Sequence, residues 1–374
     1  MQPQYEVADV LNAHWSQVQQ CAKYNSWQLR TLDALRRCRT AALGAHVDGC
    51  SSCGHLRISY NSCRNRHCPK CQGQEREKWI QARESELLSV PYFHIVFTLP
   101  DALNTLCLHK ARELYNILFE SAWHVLNTFG HDAKWLGAQT GMISILHTWG
   151  QTLTLHPHLH CIVPGGGITK MGKWKTARSQ GKPACRRGRY LFNVKAMSQV
   201  YRGKFMALLK ERLPQQMLPV LVNELYKKDW VVYAKRPFGG PQSVVEYLGR
   251  YTHKVAISNH RLTNIVDGQV SFSYKDYKHA AAKKEMRLDA NEFIRRFAMH
   301  ILPKGFVRIR HYGILSSTSK TACAVIIKEQ LPPLTRIPKV KKELYNPLQC
   351  PCCKKETMQT IMRYNRRGPP PDWK

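Results

Sequence analysis

Residues His156-Pro157-His158-Leu159-His160 carry two imidazoles, His158 and His160, one residue apart. Side chains on a β-strand alternate between faces, so these two rings point one way while Leu159 points the other, toward a core. Two imidazoles aimed at one point can grip a divalent metal, and a metal in a strongly basic chain suggests phosphate chemistry. Taken alone, a His-x-His pair is more often decoration of an exposed strand. The other chemistry-bearing residues of the chain shift that balance.

Tyr247 and Tyr251 lie four positions apart in Ser243-Val244-Val245-Glu246-Tyr247-Leu248-Gly249-Arg250-Tyr251-Thr252-His253-Lys254. On a helix, positions i and i+4 share a face, so both phenols could approach one centre. A phenol with an ordinary pKa of about 10 is a poor nucleophile at neutral pH. Lys254, three positions after Tyr251, could contact a phosphate or stabilise a phenolate. The alternative is a pair of aromatic residues packing a helix onto a sheet.

Cys50-x-x-Cys53 and Cys68-x-x-Cys71 are two knuckles separated by 14 residues. Each brings two thiolates toward a tetrahedral centre, so the spacing predicts one four-cysteine zinc site of ribbon type. Cys38, His46, Cys63 and His67 lie close by and could support a second zinc, supply an alternative ligand or simply pack. Arg64, Arg66 and Lys70 stud the same loop and suit DNA contact. Cys350-Pro351-Cys352-Cys353 gives half of a further site.

These groups must be positioned by ordinary elements. The first 40 residues read as helical from Val7, Val10, Leu11 and Trp15 and again from Leu29, Leu32 and Leu35. Gln72 to Leu88 reads as a helix leaving the cysteine block. Tyr92 to Thr98 reads as a buried strand stopped by Pro100, and residues 101–129 as a long amphipathic helix. Gly141–Trp149 and His158–Val163 form an expected antiparallel pair. The segment 170–189 holds Lys170, Lys173, Lys175, Arg178, Lys182, Arg186, Arg187 and Arg189 without an acidic residue; it is either a solvated face or a phosphate-binding arm, and beside a metal site the arm is favoured. A helix near 195–213, a strand at Trp230–Ala234 and a helix opening at Pro241 follow. Asp267-Gly268 predicts a hairpin turn between Leu262–Val266 and Val270–Tyr274. A helix at 289–301, a strand near 306–311 and a basic, proline-bearing linker at 331–347 complete the chain.

The 374-residue chain carries 57 Lys and Arg against 25 acidic residues, a net charge of +32 that implies a polyanionic partner, nucleic acid ahead of a membrane surface. No stretch is apolar for long enough to span a bilayer and no signal-peptide pattern opens the chain, so a cytoplasmic, nucleoid-associated bacterial location is expected. The 14 cysteines then read as metal ligands or free thiols rather than disulfides.

With these motifs together, the chain resembles the two-tyrosine transposases of rolling-circle insertion sequences, members of the HUH (His-hydrophobic-His) endonuclease superfamily. The resemblance rests on Asn61 to Cys71, which is similar to the transposase zinc-binding domain, on Val96-Phe97-Thr98-Leu99-Pro100, on His156 to Gly167, and on Tyr247-x-x-x-Tyr251. It implies an α+β fold, an antiparallel sheet flanked by helices and preceded by a helical zinc-ribbon-like module. The expected domains are 1–89 (helical, zinc-binding, DNA-recognising), 90–328 (catalytic) and 329–374 (basic linker and cysteine-containing tail).

The resemblance further implies that His158 and His160 hold Mg²⁺ or Mn²⁺, with His147 or Gln151 as third ligand and His94 as a further alternative. Zn²⁺ would be structural. Tyr251 or Tyr247 would attack single-stranded DNA at transposon ends, forming a 5′-phosphotyrosine and freeing a 3′-hydroxyl, and the second tyrosine would serve strand transfer into target DNA. No phosphate-binding Gly-x-x-x-x-Gly-Lys-Ser/Thr loop is present, so unwinding would fall to a host helicase. The competing readings are a rolling-circle plasmid replication initiator, a non-catalytic zinc-dependent DNA-binding protein and a metal-free tyrosine recombinase acting on duplex DNA.

Overall fold

The computed structural model describes residues 3–72, 79–80, 87–177, 191–235, 244, 254–277, 279–333 and 346–365. Tyr247, Tyr251, Arg186 and Arg187 lie outside the described residues, as do the expected helix start at Pro241, most of the helix at 72–88 and most of the linker at 331–347. The chain forms two compact units, one from residues 75–256 and 302–334, the other from residues 1–74, 257–301 and 335–374.

The first of these is built on a five-stranded antiparallel sheet. Its strands are β1 (Tyr92–Thr98), β2 (Gly141–Trp149), β3 (Leu155–Pro164), β4 (Val232–Ala234) and β5 (Ile309–Gly313), in the spatial order β5-β2-β3-β1-β4. The His-x-His strand β3 is therefore the middle strand, paired on both edges. Leu159 stands opposite Leu146 on β2 and Phe97 on β1, and all three are fully buried.

That face carries the core. Phe93, Ile95, Met142, Cys161 and Val163 join the row and pack on helices α1 (Ala111–His131) and α2 (Val194–Arg212). On α1 the apolar residues Leu114, Ile117, Leu118, Ala122, Val125, Leu126 and Phe129 recur at helical spacing and are buried. Asn193 caps α2 by accepting a hydrogen bond from the Ala196 N–H at 3.0 Å. Tyr201 of α2 meets Phe97 edge-on at 5.1 Å between ring centroids.

The expected single helix over 101–129 is broken. A 3₁₀ turn (Asp101–Leu103) and a short helix (Asn104–His109) precede α1, because Lys110 sits outside the helical region at φ −123° and ψ 40°. The strand expected near 306–311 begins later, at Ile309, where pairing with Ile145 starts.

The other unit draws on three stretches of chain. Helices Val7–Ala13, Trp15–Gln20 and Ser26–Arg36 come first, the last closed by a reciprocal cap in which Asn25 Oδ1 accepts from Gln28 N–H at 2.9 Å and Gln28 Oε1 from Asn25 N–H at 3.0 Å. A three-stranded antiparallel sheet has Ala45–Cys50 in the centre, Leu56–Tyr60 on one side and Met358–Tyr364 on the other. A second sheet, Leu262–Val266, Gln269–Asp276 and Ala282–Asp289, packs Phe272 against Phe293 of helix Ala290–Met299. Asp267 and Gly268 both take positive φ, 50° and 69°, as its first turn requires. Beside the expected division into 1–89, 90–328 and 329–374, residues 257–301 and the C-terminal strand fall in the cysteine-bearing unit, where Gln28 Nε2 donates to the Ala298 carbonyl at 3.0 Å and Met358–Tyr364 pairs with Ala45–Cys50.

Among the described residues no helix is long and apolar enough to cross a membrane.

Phe97 is fully buried where the strand face meets α2, so Phe97→Ala should cost about 3–5 kcal/mol. A urea-denaturation midpoint within error of the parent protein would show that the sheet–helix interface is not the main stabilising contact.

Candidate active site and metal-binding clusters

The opposite face of the same sheet gathers histidines. The pairing sets His158 opposite His147 of β2, and strand alternation puts His160 on the same side. The three rings each offer one nitrogen, all within 4.8 Å of one another. His158 Nε2 lies 3.2 Å from His160 Nε2. Two nitrogens bound to one ion at roughly 2.1 Å and at right to tetrahedral angles would be about 3.0–3.4 Å apart, so this spacing fits shared ligation.

The hydrogen bonds behind the rings orient them. His158 Nδ1 donates to the His156 carbonyl at 2.6 Å, which leaves Nε2 with the lone pair. His160 Nδ1 lies 2.9 Å from Nε2 of His94, a buried residue of β1 stacked on it at 5.1 Å. A proton on His160 Nδ1 donated to His94 frees His160 Nε2 to face His158. The point between the two Nε2 atoms then takes either a proton or a cation.

Burial holds these imidazoles neutral. It lowers His94 to about 3, aided by the charges of Lys235 and His158. Burial likewise lowers His158 to about 4, against the opposing hydrogen bond to His156 and with help from His156 and Lys254. His160 falls well below the ordinary value through burial and then through His147, His158, His94 and Lys254. Neutral imidazole is the ligating form, so protons do not compete for these nitrogens near neutral pH.

Of the expected third ligands, His147 is the one brought to the pair. His94 stands behind His160, on its Nδ1 side. Gln151 sits in the turn between β2 and β3, where Gly150 N–H donates to the Thr154 carbonyl at 2.9 Å. The glycines that follow β3 allow close backbone approach: a side chain on Gly167 would begin 2.4 Å from the Gln139 carbonyl oxygen.

Two described residues bracket the tyrosine segment. Val244 is fully buried against Tyr92, Ile145 and Ile162, residues of the histidine-bearing side of the sheet. The Lys254 carbonyl accepts from the buried Arg308 at 3.1 Å.

The cysteines divide differently from the expectation. Cys68 and Cys71 group with Cys38 and Cys63, and Cys50 and Cys53 group with Cys350 and Cys353. The single site made from Cys50, Cys53, Cys68 and Cys71 is therefore corrected. The hairpin of Ala45–Cys50 and Leu56–Tyr60 carries its knuckle away from the 61–71 loop, whose own partners come from the end of helix Ser26–Arg36. In the first cluster Cys71 Sγ lies 3.5 Å from Cys38 Sγ and 3.7 Å from Cys63 Sγ. Four thiolates about 2.3 Å from a common ion would stand about 3.8 Å apart, so the donor set fits zinc. Contacts with the neighbouring Cys63 and Cys68 thiols draw Cys38 down to about 7, and contacts with Cys38, Cys63 and Cys68 draw Cys71 down as well. Cys38 and Cys63 carried a signal, their proximity in sequence to the knuckles. His46 instead faces Asp48 at 3.6 Å.

The basic candidates also separate. Arg64 is exposed and Arg66 half-buried, while Lys70 pairs with Glu6 and donates to the Cys38 carbonyl at 3.3 Å, so it braces the module. Lys173 is exposed and Lys175 half-buried on the short hairpin Gly166–Ile168/Trp174–Thr176.

Comparison with known proteins matches residues 141–322 to a family described as "Putative transposase" and residues 10–99 to one described as "Transposase zinc-binding domain". The histidine cluster lies in the first match and Cys38, Cys63, Cys68 and Cys71 in the second. The chain is 40% identical over 398 aligned positions to "Putative transposase y4qJ" of Sinorhizobium fredii (strain NBRC 101917 / NGR234), with 98% of each chain covered. It is 28% identical over 317 positions to the "Transposase for insertion sequence element IS801" of Pseudomonas savastanoi pv. phaseolicola, covering 82% of this chain and 74% of that one.

Proposed function

This chain belongs to the two-tyrosine transposase family of the IS91 type, and on that footing we propose that it nicks and rejoins single-stranded DNA at insertion-sequence ends through a 5′-phosphotyrosine intermediate. It is a transposase with a zinc-binding domain, and DNA is its partner. The observation that carries the finer reading is the convergence of His147, His158 and His160 on the middle of the sheet, with His158 and His160 held neutral by burial and their Nε2 atoms turned to one point.

His158, His160 and His147 would hold Mg²⁺ or Mn²⁺, which supplies Lewis-acid polarisation of a non-bridging phosphate oxygen when bound. The phenol oxygen of Tyr251 or Tyr247 forms a bond to phosphorus as the bond from phosphorus to the 3′-oxygen breaks, leaving a 3′-hydroxyl. Lys254 places a positive charge beside the histidines, where it can stabilise a phenolate or a phosphate oxygen. Anchoring of Val244 and Lys254, which flank the two tyrosines in sequence, supports a nucleophile segment beside the metal position. A second tyrosine lets one cleaved end stay attached while another is cut. Arg64, Arg66, Lys173, Lys175, Arg186 and Arg187 are the proposed phosphate contacts, and a host helicase the source of single strands. Cys38, Cys63, Cys68 and Cys71 are the proposed ligands of a structural Zn²⁺.

The test incubates the purified protein with Mg²⁺ and an end-labelled single-stranded oligonucleotide carrying the element's own terminus. A covalent adduct should appear on a denaturing gel, 5′-linked to Tyr247 or Tyr251 by peptide mapping. Tyr247→Phe and Tyr251→Phe should reduce or reshape cleavage and leave DNA affinity largely intact, whereas a parallel loss of affinity would make the tyrosines structural. His158→Ala should abolish metal-dependent nicking at unchanged zinc content. A 3′-linked or metal-independent adduct would replace this mechanism with that of a tyrosine recombinase.

His94 generates a separate expectation. His94→Leu removes the acceptor behind His160 and should weaken Mn²⁺ binding roughly 10- to 100-fold, while His94→Gln, which keeps an acceptor at similar reach, should retain most of it. Titration followed by Mn²⁺ electron paramagnetic resonance reads this directly; equal affinity in both variants would remove His94 from the orientation of the site.

A further inference from the structure

We propose a second zinc site, formed by Cys50, Cys53, Cys350 and Cys353, that closes a zinc ribbon from the two ends of the chain. Cys350 and Cys353 lie beyond both matched family regions, 141–322 and 10–99. Nothing in the catalytic reading uses them.

The two knuckles are built alike. Cys50 N–H donates to the His55 carbonyl at 2.9 Å, and Gly54 N–H donates back to the Cys50 carbonyl at 3.0 Å. Cys350 N–H donates to the Lys355 carbonyl at 2.8 Å, and Lys354 N–H donates back to the Cys350 carbonyl at 3.0 Å. The residue after the second cysteine takes positive φ in both, 70° at Gly54 and 61° at Lys354. Glycine adopts that region freely and lysine does so at a cost, so the C-terminal turn holds an unfavourable backbone conformation to repeat the N-terminal one. Such a turn points two thiolates toward one centre.

The turns face each other. Cys50 Sγ lies 3.6 Å from Cys353 Sγ, and Cys53 Sγ lies 3.7 Å from Cys350 Sγ, although the pairs are 303 and 297 positions apart in sequence. All four sulfurs fall within 4.8 Å of one another. A disulfide would need about 2.05 Å, whereas the edge of a tetrahedral thiolate site is about 3.8 Å. Tetrahedral S₄ coordination suits zinc among the divalent ions, with iron the chemical competitor. Cys350 is fully buried and Cys50 nearly so, and the Thr357 hydroxyl lies 3.0 Å from Cys50 Sγ, where it can donate to a thiolate.

The sheet supplies the rest of the ribbon. Strand Met358–Tyr364 leaves the C-terminal knuckle and pairs antiparallel with Ala45–Cys50, Met358 opposite Cys50. Ser51 N–H also donates to the Thr357 carbonyl at 3.1 Å. Asp48, in the middle of the central strand, accepts from Arg57 on one side and from Thr360 on the other, both at 2.9 Å. The metal would thus lock the C-terminal strand into the N-terminal module.

The test counts metals in the full-length protein by inductively coupled plasma mass spectrometry. Two zinc ions per chain are expected, falling to one in Cys350→Ser/Cys353→Ser and to one in Cys38→Ser/Cys63→Ser. A second readout needs no variant: in the unaltered protein Cys50, Cys53, Cys350 and Cys353 should resist alkylation together and become reactive together after a chelator is added. Hydrogen exchange in 358–364 should speed up in the same step. One zinc per chain, alkylation of Cys350 and Cys353 without chelator, or a mass decrease from disulfides between the knuckles would each overturn the proposal. Bound iron in place of the second zinc would keep the ligands and overturn the assigned ion.

Discussion

Everything at the histidine site depends on the register between β2 and β3. His147 faces His158, and the same pairing puts Leu146 beside Leu159 and Phe97 on the reverse face. A slip of one residue would send Leu159 to the histidine side and both imidazoles into the apolar core. Each of those apolar side chains gains roughly 1.5–3 kcal/mol on burial, and several rows of them line the face against α1 and α2. Core packing therefore fixes where the imidazoles converge, and the hydrogen bonds behind the rings then orient them.

This dependence explains why the histidine-bearing sheet was legible in sequence. Strand alternation is a local property, so His158-Leu159-His160 already implies its two faces, and the β-rich run Tyr92–Thr98 and the glycine-bounded run Gly141–Trp149 imply partners. The third histidine required only that neighbouring strands pair. His94 was harder to place: its position on β1 was readable, but standing behind His160 instead of beside His158 follows from the β1–β3 register, which sets His94 opposite Ile162 and which no spacing rule supplies. The break at Lys110 likewise has no local sequence signal, since Leu108-His109-Lys110 contains no proline or glycine.

The cysteines were legible in type and not in pairing. Adjacent knuckles invite adjacent pairing, yet a knuckle supplies two ligands and says nothing about where the other two come from. Cys68 and Cys71 find theirs at Cys38, where a helix ends, and at Cys63. Cys50 and Cys53 face a turn about 300 positions away. Only the sheet explains this, because Ala45–Cys50 is a central strand and its second edge must be covered by something. The covering strand comes from the C-terminus and brings Cys350 and Cys353 with it. Basic residues show the same limit. Lys70, Arg57 and Arg212 are tied to Glu6, Asp48 and Glu120, yet pairing every one of the 25 acidic residues would still leave 32 of the 57 cations unmatched. The excess charge survives as an argument for a polyanionic partner, while the individual lysines and arginines must be sorted by structure.

The two donor chemistries also bear on how one chain could keep different ions apart. Three neutral imidazoles are an acceptable zinc set, and nitrogen donors generally bind zinc more tightly than manganese. Ligand type at the histidine site therefore does not by itself exclude zinc. Four-thiolate clusters bind zinc more strongly still and couple that binding to folding. On the proposed reading the four-thiolate clusters, as the tighter zinc sets, would fill at the scarce free zinc of a cell while the weaker imidazole set stays largely free of it. The proposed histidine site would then be open to the abundant hard cations, whose remaining coordination positions suit water and phosphate oxygens. The difference in donor chemistry alone would then decide which ion each proposed site takes.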